Sequence, residues 1–315
     1  MKQTIKIGTR GSQLALWQAN WVKSALISNT PSLTVELVII KTTGDKILDA
    51  PLAQVGGKGL FVKEIEESLL SGRTDLAVHS MKDMPAVIPS GLCIGSVPER
   101  ETTNDVLISK NNLPLAKLNK GARIGTSSLR RAAQLRYVRP DVEIVPLRGN
   151  LDTRIRKLET EALDAIVLAA AGVKRLNFDA KITEYLDESV MLPAAGQGAL
   201  CIEIRKDDRE TARLVEALDH PDTHSAVLGE RAFLSRLEGS CQVPIAARGK
   251  TENGRLALRG LVADIMGAAV VKDAISGPAA SAETLGIELA DRLLSMGAKK
   301  ILANLKADLI QDEKR

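Results

Sequence analysis

Apolar positions follow two alternating spacings over the first two thirds of the chain. Short apolar runs at Ile5–Gly8, Thr34–Ile40 and Asp75–His79 predict strands. Between them, Ser12–Ile27 and Val62–Leu70 carry apolar residues at helical spacing, with Leu14, Leu16, Trp17, Trp21 and Val22 available for one buried face and Ile65, Leu69 and Leu70 for the other. The charged stretch Glu99–Thr103 has no apolar period, and a second unit begins near it. There the alternation resumes as strands Arg123–Gly125, Glu143–Val145 and Ala165–Leu168, interleaved with helices Leu129–Val138 and Leu151–Leu158. Such alternation predicts α/β layers built on a largely parallel sheet. Leu192–Gly198 interrupts the rhythm, as expected where a chain crosses between domains, and Ala199–Ile204 reads as a further strand.

The last third changes character. Helices are expected at Asp208–Leu218 and Thr223–Leu237. Three β-like runs follow (Pro244–Arg248, Arg255–Asp264 and Ala269–Ile275), ended by Gly277-Pro278, and helices Ala282–Ser295 and Lys299–Leu305 close the chain. Strands followed by helices predict a small α+β domain. Between the second helix and the first β-run lies Leu237-Glu-Gly-Ser-Cys-Gln-Val-Pro244. Gly239 and Ser240 end the helix and Pro244 prevents a restart, so Cys241 sits on a connection, where chemistry is commonly placed.

Composition narrows the class. The 315 residues are 44% hydrophobic and 26% charged but only 2% aromatic, so the cores are aliphatic and there is length for two or three domains. With 43 basic and 39 acidic residues the net charge is +4, too balanced for a nucleic-acid coat or a polybasic membrane anchor. The three cysteines include no C-x-x-C pair, and Cys93 and Cys201 lie in apolar runs and read as core. The three histidines are scattered. No disulfide framework or metal site is expected. With no signal-peptide pattern and no span-length apolar stretch, a cytoplasmic, soluble protein is expected.

The chemistry-bearing residues fall just after strands, where open α/β sheets bind ligands. Thr9-Arg10-Gly11-Ser12 opens a helix: Ser12 is either its cap or, with Arg10, part of an anion site. In Gly125-Thr-Ser-Ser-Leu-Arg-Arg131, three hydroxyls precede a helix whose first turn holds Arg130 and Arg131. Arginine there opposes the helix dipole and needs an external anion or a strong partner. The glycine spacing and the lack of G-K-[ST] exclude a P-loop. Arg148-Gly-Asn-Leu-Asp-Thr-Arg154 repeats the arrangement, and residues 121–160 hold nine basic and four acidic residues. Arginine is the better fork for carboxylate or phosphate. After the buried strand at 75–79, His79-Ser-Met-Lys-Asp-Met-Pro85 holds Asp83 at the sheet edge beside Lys82. That carboxylate is either a turn residue bonding its own backbone or an acceptor that stabilises a cation formed during reaction. Gly56-Gly-Lys58-Gly59 adds a cation on a glycine-rich segment.

Together these stretches resemble the porphobilinogen deaminase family over nearly the whole chain. Thr9-Arg-x-Ser12, Val55-Gly-Gly-Lys-Gly-Leu-Phe61, His79-Ser-Met-Lys-Asp83, Gly125-Thr-Ser-Ser-Leu-Arg-Arg131, Leu147-Arg-Gly-Asn150, Gly196-Gln-Gly198 and Glu238-Gly-Ser-Cys-Gln-Val-Pro244 occur in family order. The resemblance implies a transferase of tetrapyrrole biosynthesis. It would join four porphobilinogen molecules head to tail into linear hydroxymethylbilane, releasing ammonia at each step. A dipyrromethane cofactor attached through a thioether to Cys241 would prime the chain. Asp83 would be the catalytic carboxylate. Ser80, Lys82, Asp83, Thr126, Ser128, Arg130 and Arg131 would hold the cofactor. Arg10, Ser12, Lys58, Ser127, Arg148, Arg154, Arg175 and Gln197 would bind substrate carboxylates. It also implies two α/β domains like those of periplasmic binding proteins, over 1–98 with 199–216 and over 99–198, plus a smaller α+β domain over 217–315, in a monomer. Two positions depart from the pattern: Gln54 stands where many members have lysine, and Ser240 where glycine is common.

Two other readings compete. A non-enzymatic organic-acid binder would use the same anion-lined edges but leaves Cys241 and Asp83 without a role. A nucleic-acid binder built on the Arg-rich helix 129–139 conflicts with the balanced charge and scarce aromatics.

Overall fold

The computed structural model describes residues 2–46, 61–238 and 243–312. It opens with β1 (Thr4–Thr9), α1 (Gln13–Asn29) and β2 (Thr34–Ile39), the two strands pairing in parallel from Thr4 opposite Thr34. α1 buries Gln18, Ala19, Val22 and Leu26, one turn apart on a single face. Trp21 of the expected face is rotated off it and is 38% exposed. Next come α2 (Thr43–Lys46), α3 (Lys63–Leu70), β3 (Leu76–Ser80) and β4 (Leu92–Ser96). α3 buries Ile65, Glu66 and Leu69, whereas Leu70, expected inward, is half-exposed because one further residue turns it off the face. β4 is a strand where the sequence suggested only a core run.

The second unit holds β5 (Asp105–Ser109), β6 (Arg123–Gly125), α4 (Leu129–Val138), β7 (Glu143–Val145), α5 (Leu151–Thr160), β8 (Ala165–Ala169), α6 (Ala170–Arg175) and β9 (Glu184–Tyr185). β10 (Leu200–Arg205) follows. β5, α6 and β9 had no counterpart in the sequence pattern. The two sheets repeat one plan, β2-β1-β3-β10-β4 and β7-β6-β8-β5-β9. β1 runs parallel to β2 and β3, and β6 to β7 and β8. β10 is antiparallel to both its neighbours, and so is β5. The largely parallel sheet expected is therefore a mixed one in each case. The reversed strand is in both sheets the one that follows a crossing: β5 after residues 97–104, β10 after 192–199. Residue pattern within a strand does not encode its direction, so the reversal was invisible.

The remainder is α7 (Arg209–Glu216), α8 (Pro221–Arg236), β11 (Ile245–Glu252), β12 (Arg255–Ala263), β13 (Val270–Pro278), α9 (Ala282–Leu293) and α10 (Lys299–Asp312). β11–β13 form an antiparallel meander. α8 and α9 cover it around Phe233, Leu256, Leu258, Leu289 and Leu293, all fully buried. Gly277 and Pro278 do not end the strand but complete β13, an edge strand on which a missing N–H costs no ladder bond.

Candidate active site

β3 lies inside the first sheet between β1 and β10, and its end becomes a 3₁₀ turn, Met81–Asp83. The Met81 N–H donates to the Ala199 carbonyl at 3.0 Å and the Met84 N–H to the Met81 carbonyl at 3.2 Å. Both methionines are buried, so Asp83 between them is turned outward and exposed. Gly196, at φ +74°, packs on the back of this turn: a Cβ there would lie 2.6 Å from Met81 Cγ and 3.0 Å from the Lys82 nitrogen. Gly198, at φ +88°, would place a Cβ 2.4 Å from the Glu101 carbonyl oxygen. The Gly-Gln-Gly stretch is thus the surface against which the Asp83 turn and the other crossing both rest. Among the described residues no donor lies within hydrogen-bond distance of the Asp83 carboxylate. It lines a small open pocket with Arg10, Ser12, Gln18, Phe61 and Ser80.

The structure brings cations from the second unit to this turn. Lys82 is half-buried, and its ammonium is pushed down to about 8 by burial and by Arg131 and Arg130, against the pull of Asp83 and Asp105. Arg154, at the start of α5, is pushed down to about 10 by burial and by Arg131 and Arg148, with Asp83 acting oppositely. Its Nε donates to the Gly149 carbonyl at 2.8 Å. Asp83, Lys82, Arg131, Arg148 and Arg154 therefore share one electrostatic neighbourhood drawn from two sheets.

Arg130 and Arg131 have the strong partner their position demands. Asp105 of β5 is fully buried and meets Arg130 Nη1 at 2.6 Å and Arg131 Nη2 at 2.7 Å. Burial alone would raise the Asp105 carboxyl; the two guanidiniums outweigh it and hold it well below the usual carboxylate range. Arg130 Nη1 also donates to the Leu192 carbonyl at 2.9 Å, and Arg131 Nη1 to the Val167 carbonyl at 3.0 Å.

Several residues expected at the ligand surface also have partners inside the protein. Gln197 is fully buried and donates to the Thr103 carbonyl at 2.7 Å and to Asp105 at 3.1 Å. Its carboxamide braces the Asp105 cluster from inside the fold. Arg130, 6% exposed, and Arg131, 5% exposed, both have their charge met by Asp105. Ser127 Oγ both donates to the Leu147 carbonyl and accepts from the Leu147 N–H, each at 2.9 Å. Ser12 and Ser128 cap α1 and α4, accepting from the Ala15 and Arg131 N–H groups. Thr126 is buried, and its Oγ1 accepts from the Ser128 N–H at 3.2 Å. Arg175 donates to the Gly198 carbonyl at 2.8 Å and lies over the Trp17 ring at 5.5 Å. Arg10 pairs with Asp45, Nε to Oδ1 at 3.1 Å, and lies 4.3 Å from the Phe61 ring centroid. Ser80 Oγ accepts from Gln18 Nε2 at 2.8 Å. Cys241 and Lys58 lie outside the described residues.

Gln18, Asp45 and Asp105 were not anticipated at the site. Gln18 had a faint signal, a polar residue in step with the apolar face of α1. Asp45 and Asp105 had none, since each meets its arginine only through folding. Among the described residues no three His, Cys, Asp or Glu side chains converge as a metal site. No helix of the described residues is long and apolar enough to cross a membrane.

An exposed carboxylate beside a cluster of cations, set where two α/β sheets meet, is the arrangement of a protein with an anion-binding site between α/β domains. Comparison with known proteins makes that specific. The family model for the dipyromethane cofactor binding domain of porphobilinogen deaminase matches residues 5–213, and the model for its C-terminal domain matches residues 224–295. Porphobilinogen deaminase of Geobacter sulfurreducens is 56% identical over 310 residues, covering 98% of this chain and 97% of its own length. That of Geotalea uraniireducens is 55% identical over 312 residues, covering 99% and 98%. The chain belongs to the porphobilinogen deaminase family, and its activity is that of hydroxymethylbilane synthase with a dipyrromethane cofactor domain. Among solved structures, the periplasmic VFT2 domain of Bordetella pertussis BvgS is 15% identical with a TM-score of 0.40, covering 69% of this chain and 86% of its own. The Escherichia coli aliphatic sulphonate binding protein SsuA is 14% identical with a TM-score of 0.40, covering 76% and 71%.

Proposed function

We propose that Asp83 is the acid on which each condensation turns, and that Lys82, Arg131, Arg148 and Arg154 form the wall that receives the acetate and propionate groups. The observation that carries this reading is the exposed Asp83 carboxylate, without a donor among the described residues, beside cations drawn from both sheets. Such a carboxylate accepts a pyrrole N–H, which places the ring. When the C–N bond of the substrate's protonated aminomethyl group breaks, ammonia leaves with the bonding pair, and positive charge remains on the carbon and ring. A carboxylate held beside that ring lowers the cost of the charge. Each charge-assisted hydrogen bond to an arginine contributes on the order of 1.5–3 kcal/mol.

The donor set fits dipyrromethane: cations for its carboxylates and an acceptor for its ring N–H groups. Attached through Cys241, it would supply the free pyrrole end to which the first substrate is joined. Lys82, Arg131 and Asp83 are the residues we assign to holding it. Thr126 and Ser128 shape the turn that presents Arg131. Arg10 and Ser12 border the Asp83 pocket and Lys58 is assigned from its motif. We assign the divisions 1–98 with 199–216, 99–198 and 217–315 to three domains of a monomeric cytoplasmic enzyme that takes porphobilinogen and no nucleic acid.

The test is Asp83→Ala. The variant is expected to melt like the parent and retain the mass of two linked pyrroles on the peptide containing Cys241, yet lose nearly all ammonia release. Near-normal release would remove Asp83 from the reaction, and an unmodified Cys241 in active enzyme would remove the thioether.

A further inference from the structure

Arg231 has no part in the cationic wall, yet it touches the Asp83 turn. It lies on α8, whose main packing is with α9 and the third sheet. Its Nη2 donates to the Pro85 carbonyl at 2.9 Å and to the Ala86 carbonyl at 3.1 Å. Both carbonyls belong to the irregular stretch 84–91 between the turn and β4, where no sheet ladder or helix uses them. That stretch is otherwise lightly held. Met84 is buried and its N–H bonds to Met81, Leu92 bonds back to Pro89, and Val87 is 77% exposed. Two bonds from one guanidinium nitrogen to successive carbonyls fix the backbone two and three residues beyond Asp83.

The arginine is committed to this task. Among the described residues it has no ion-pair partner, and the Glu203 carboxylate of β10 acts on it through space. Its neighbour Glu230 meanwhile anchors the same helix turn to both crossings, binding Arg100 at 2.6 Å and the Gly196 N–H at 2.6 Å. α8 is thus rigidly placed just where Arg231 reaches out. A half-buried guanidinium satisfied only by two carbonyls gives little net stability, because its desolvation offsets those bonds. What it supplies is position.

We propose that Arg231 is a positioning residue for the condensation: it clamps Pro85–Ala86 to α8 and so holds the Asp83 carboxylate in its outward orientation beside Lys82. This rests on the assignment of Asp83 as the catalytic carboxylate. The clamp also makes the helix that leads toward Cys241 and the turn that carries Asp83 one mechanical unit.

The experiment uses cofactor-loaded Arg231→Gln and Arg231→Lys, with Arg236→Ala as a control that removes the exposed Arg236–Asp291 pair from the same helix. Arg231→Gln is expected to keep its cofactor mass and melt within a few degrees of the parent. Its amide exchange over residues 84–91 should quicken at least tenfold while that of α8 and the sheets is unchanged. Its kcat should fall by up to about 10²-fold, the cost of a misplacement near 1 Å, with little change in KM. Arg231→Lys, which keeps a donor and the charge, should recover part of both, and Arg236→Ala should match the parent. Unchanged exchange over 84–91, or parental kcat in the glutamine variant, overturns the proposal. So does a loss of activity that only tracks the fraction unfolded. If the glutamine variant does not fold, the lysine variant decides by the same two readouts. Asp83→Ala separates the two assignments: it should lose turnover with 84–91 exchange unaltered. If it turns over normally, Asp83 fails as the acid while the exchange result still judges the clamp.

Discussion

Arg100 and Glu230 are joined at two points, Nη1 to Oε1 at 2.6 Å and Nη2 to Oε2 at 2.9 Å, with the carboxylate fully buried. Arg100 lies on the first crossing between the α/β units, Glu230 on α8. The same carboxylate accepts the N–H of Gly196 on the second crossing at 2.6 Å and that of Gly249 on β11 at 2.7 Å. Arg100 Nε donates to the Gln197 carbonyl at 2.7 Å. Both crossings and the third sheet therefore converge on one charged pair.

Removing one member of such a pair leaves the other charge buried. Glu230→Gln is expected to lose on the order of 3–5 kcal/mol of unfolding free energy in a denaturant titration. Glu230 also holds Gly196, against which the Asp83 turn packs, so kcat per folded, loaded molecule reports whether this pair bears on the reaction as well. A large kcat loss in fully folded protein would show that the crossings set the reaction geometry as well as the stability.

Asp105→Asn tests the brace beneath α4. It leaves Arg130 and Arg131 close together without a neutralising carboxylate, and should cost several kcal/mol at pH 7. The sign with pH follows from the depressed carboxyl of the folded state. Its stabilisation is fully present above the unfolded value of about 3.8 and is lost only as pH falls through the lower folded value. The parent–variant gap in urea midpoints should thus be constant across neutral pH and close only in strong acid.

If Lys82 belongs to the proposed cationic wall, the binding step is expected to have an alkaline edge. With its ammonium pushed down to about 8, the cation is present at pH 7 and is lost as pH rises through 8, so porphobilinogen affinity should weaken there. In Lys82→Arg the charge persists, and the alkaline rise in KM should move upward or vanish. An identical KM profile in both would assign that limb to another group.

Behind the pocket, Glu66 on α3 is 8% exposed, and burial together with Glu203 raises its carboxyl to about 7. His79 Nε2, 2.9 Å from Glu203, opposes the shift. A carboxyl raised in the folded state binds its proton there more tightly than in the unfolded chain, so stability falls as pH rises from about 4.5 to 7. Glu66→Gln removes that dependence. Its melting temperature relative to the parent should climb between pH 5 and 7.5, and a flat difference would mean that Glu66 titrates normally.

Local structure was legible wherever turn residues bracketed a period. Arg123–Gly125, Leu129–Val138 and Glu143–Val145 fold as the sequence pattern predicts, because Gly125 and Ser128 mark a strand end and a helix start. Asp105–Ser109 was missed because its five residues are all buried and show no alternation to read. The Ser12 alternatives resolve in part by geometry: its hydroxyl caps α1. The arginines divide in the same way. Arg130 and Arg131 sit in one motif, both meet Asp105 and both act on Lys82, while Arg131 also acts on Arg154.

By itself the sequence determined most of the helices and strands in their order, the segments that cross between units, and the ordered motifs that mark the family. Side-chain periods of two and 3.6 are properties of neighbouring residues and survive in one dimension. Only the tertiary structure decided that β5 and β10 run backwards and that Gln197 faces inward. It also decided that Arg10, Arg100 and Arg130 meet Asp45, Glu230 and Asp105. Glu230 lies 130 residues from Arg100 in the chain, and Asp105 25 residues from Arg130. Whether a charge is offered to a ligand or held by the protein depends on distance through space, which neither spacing nor composition records.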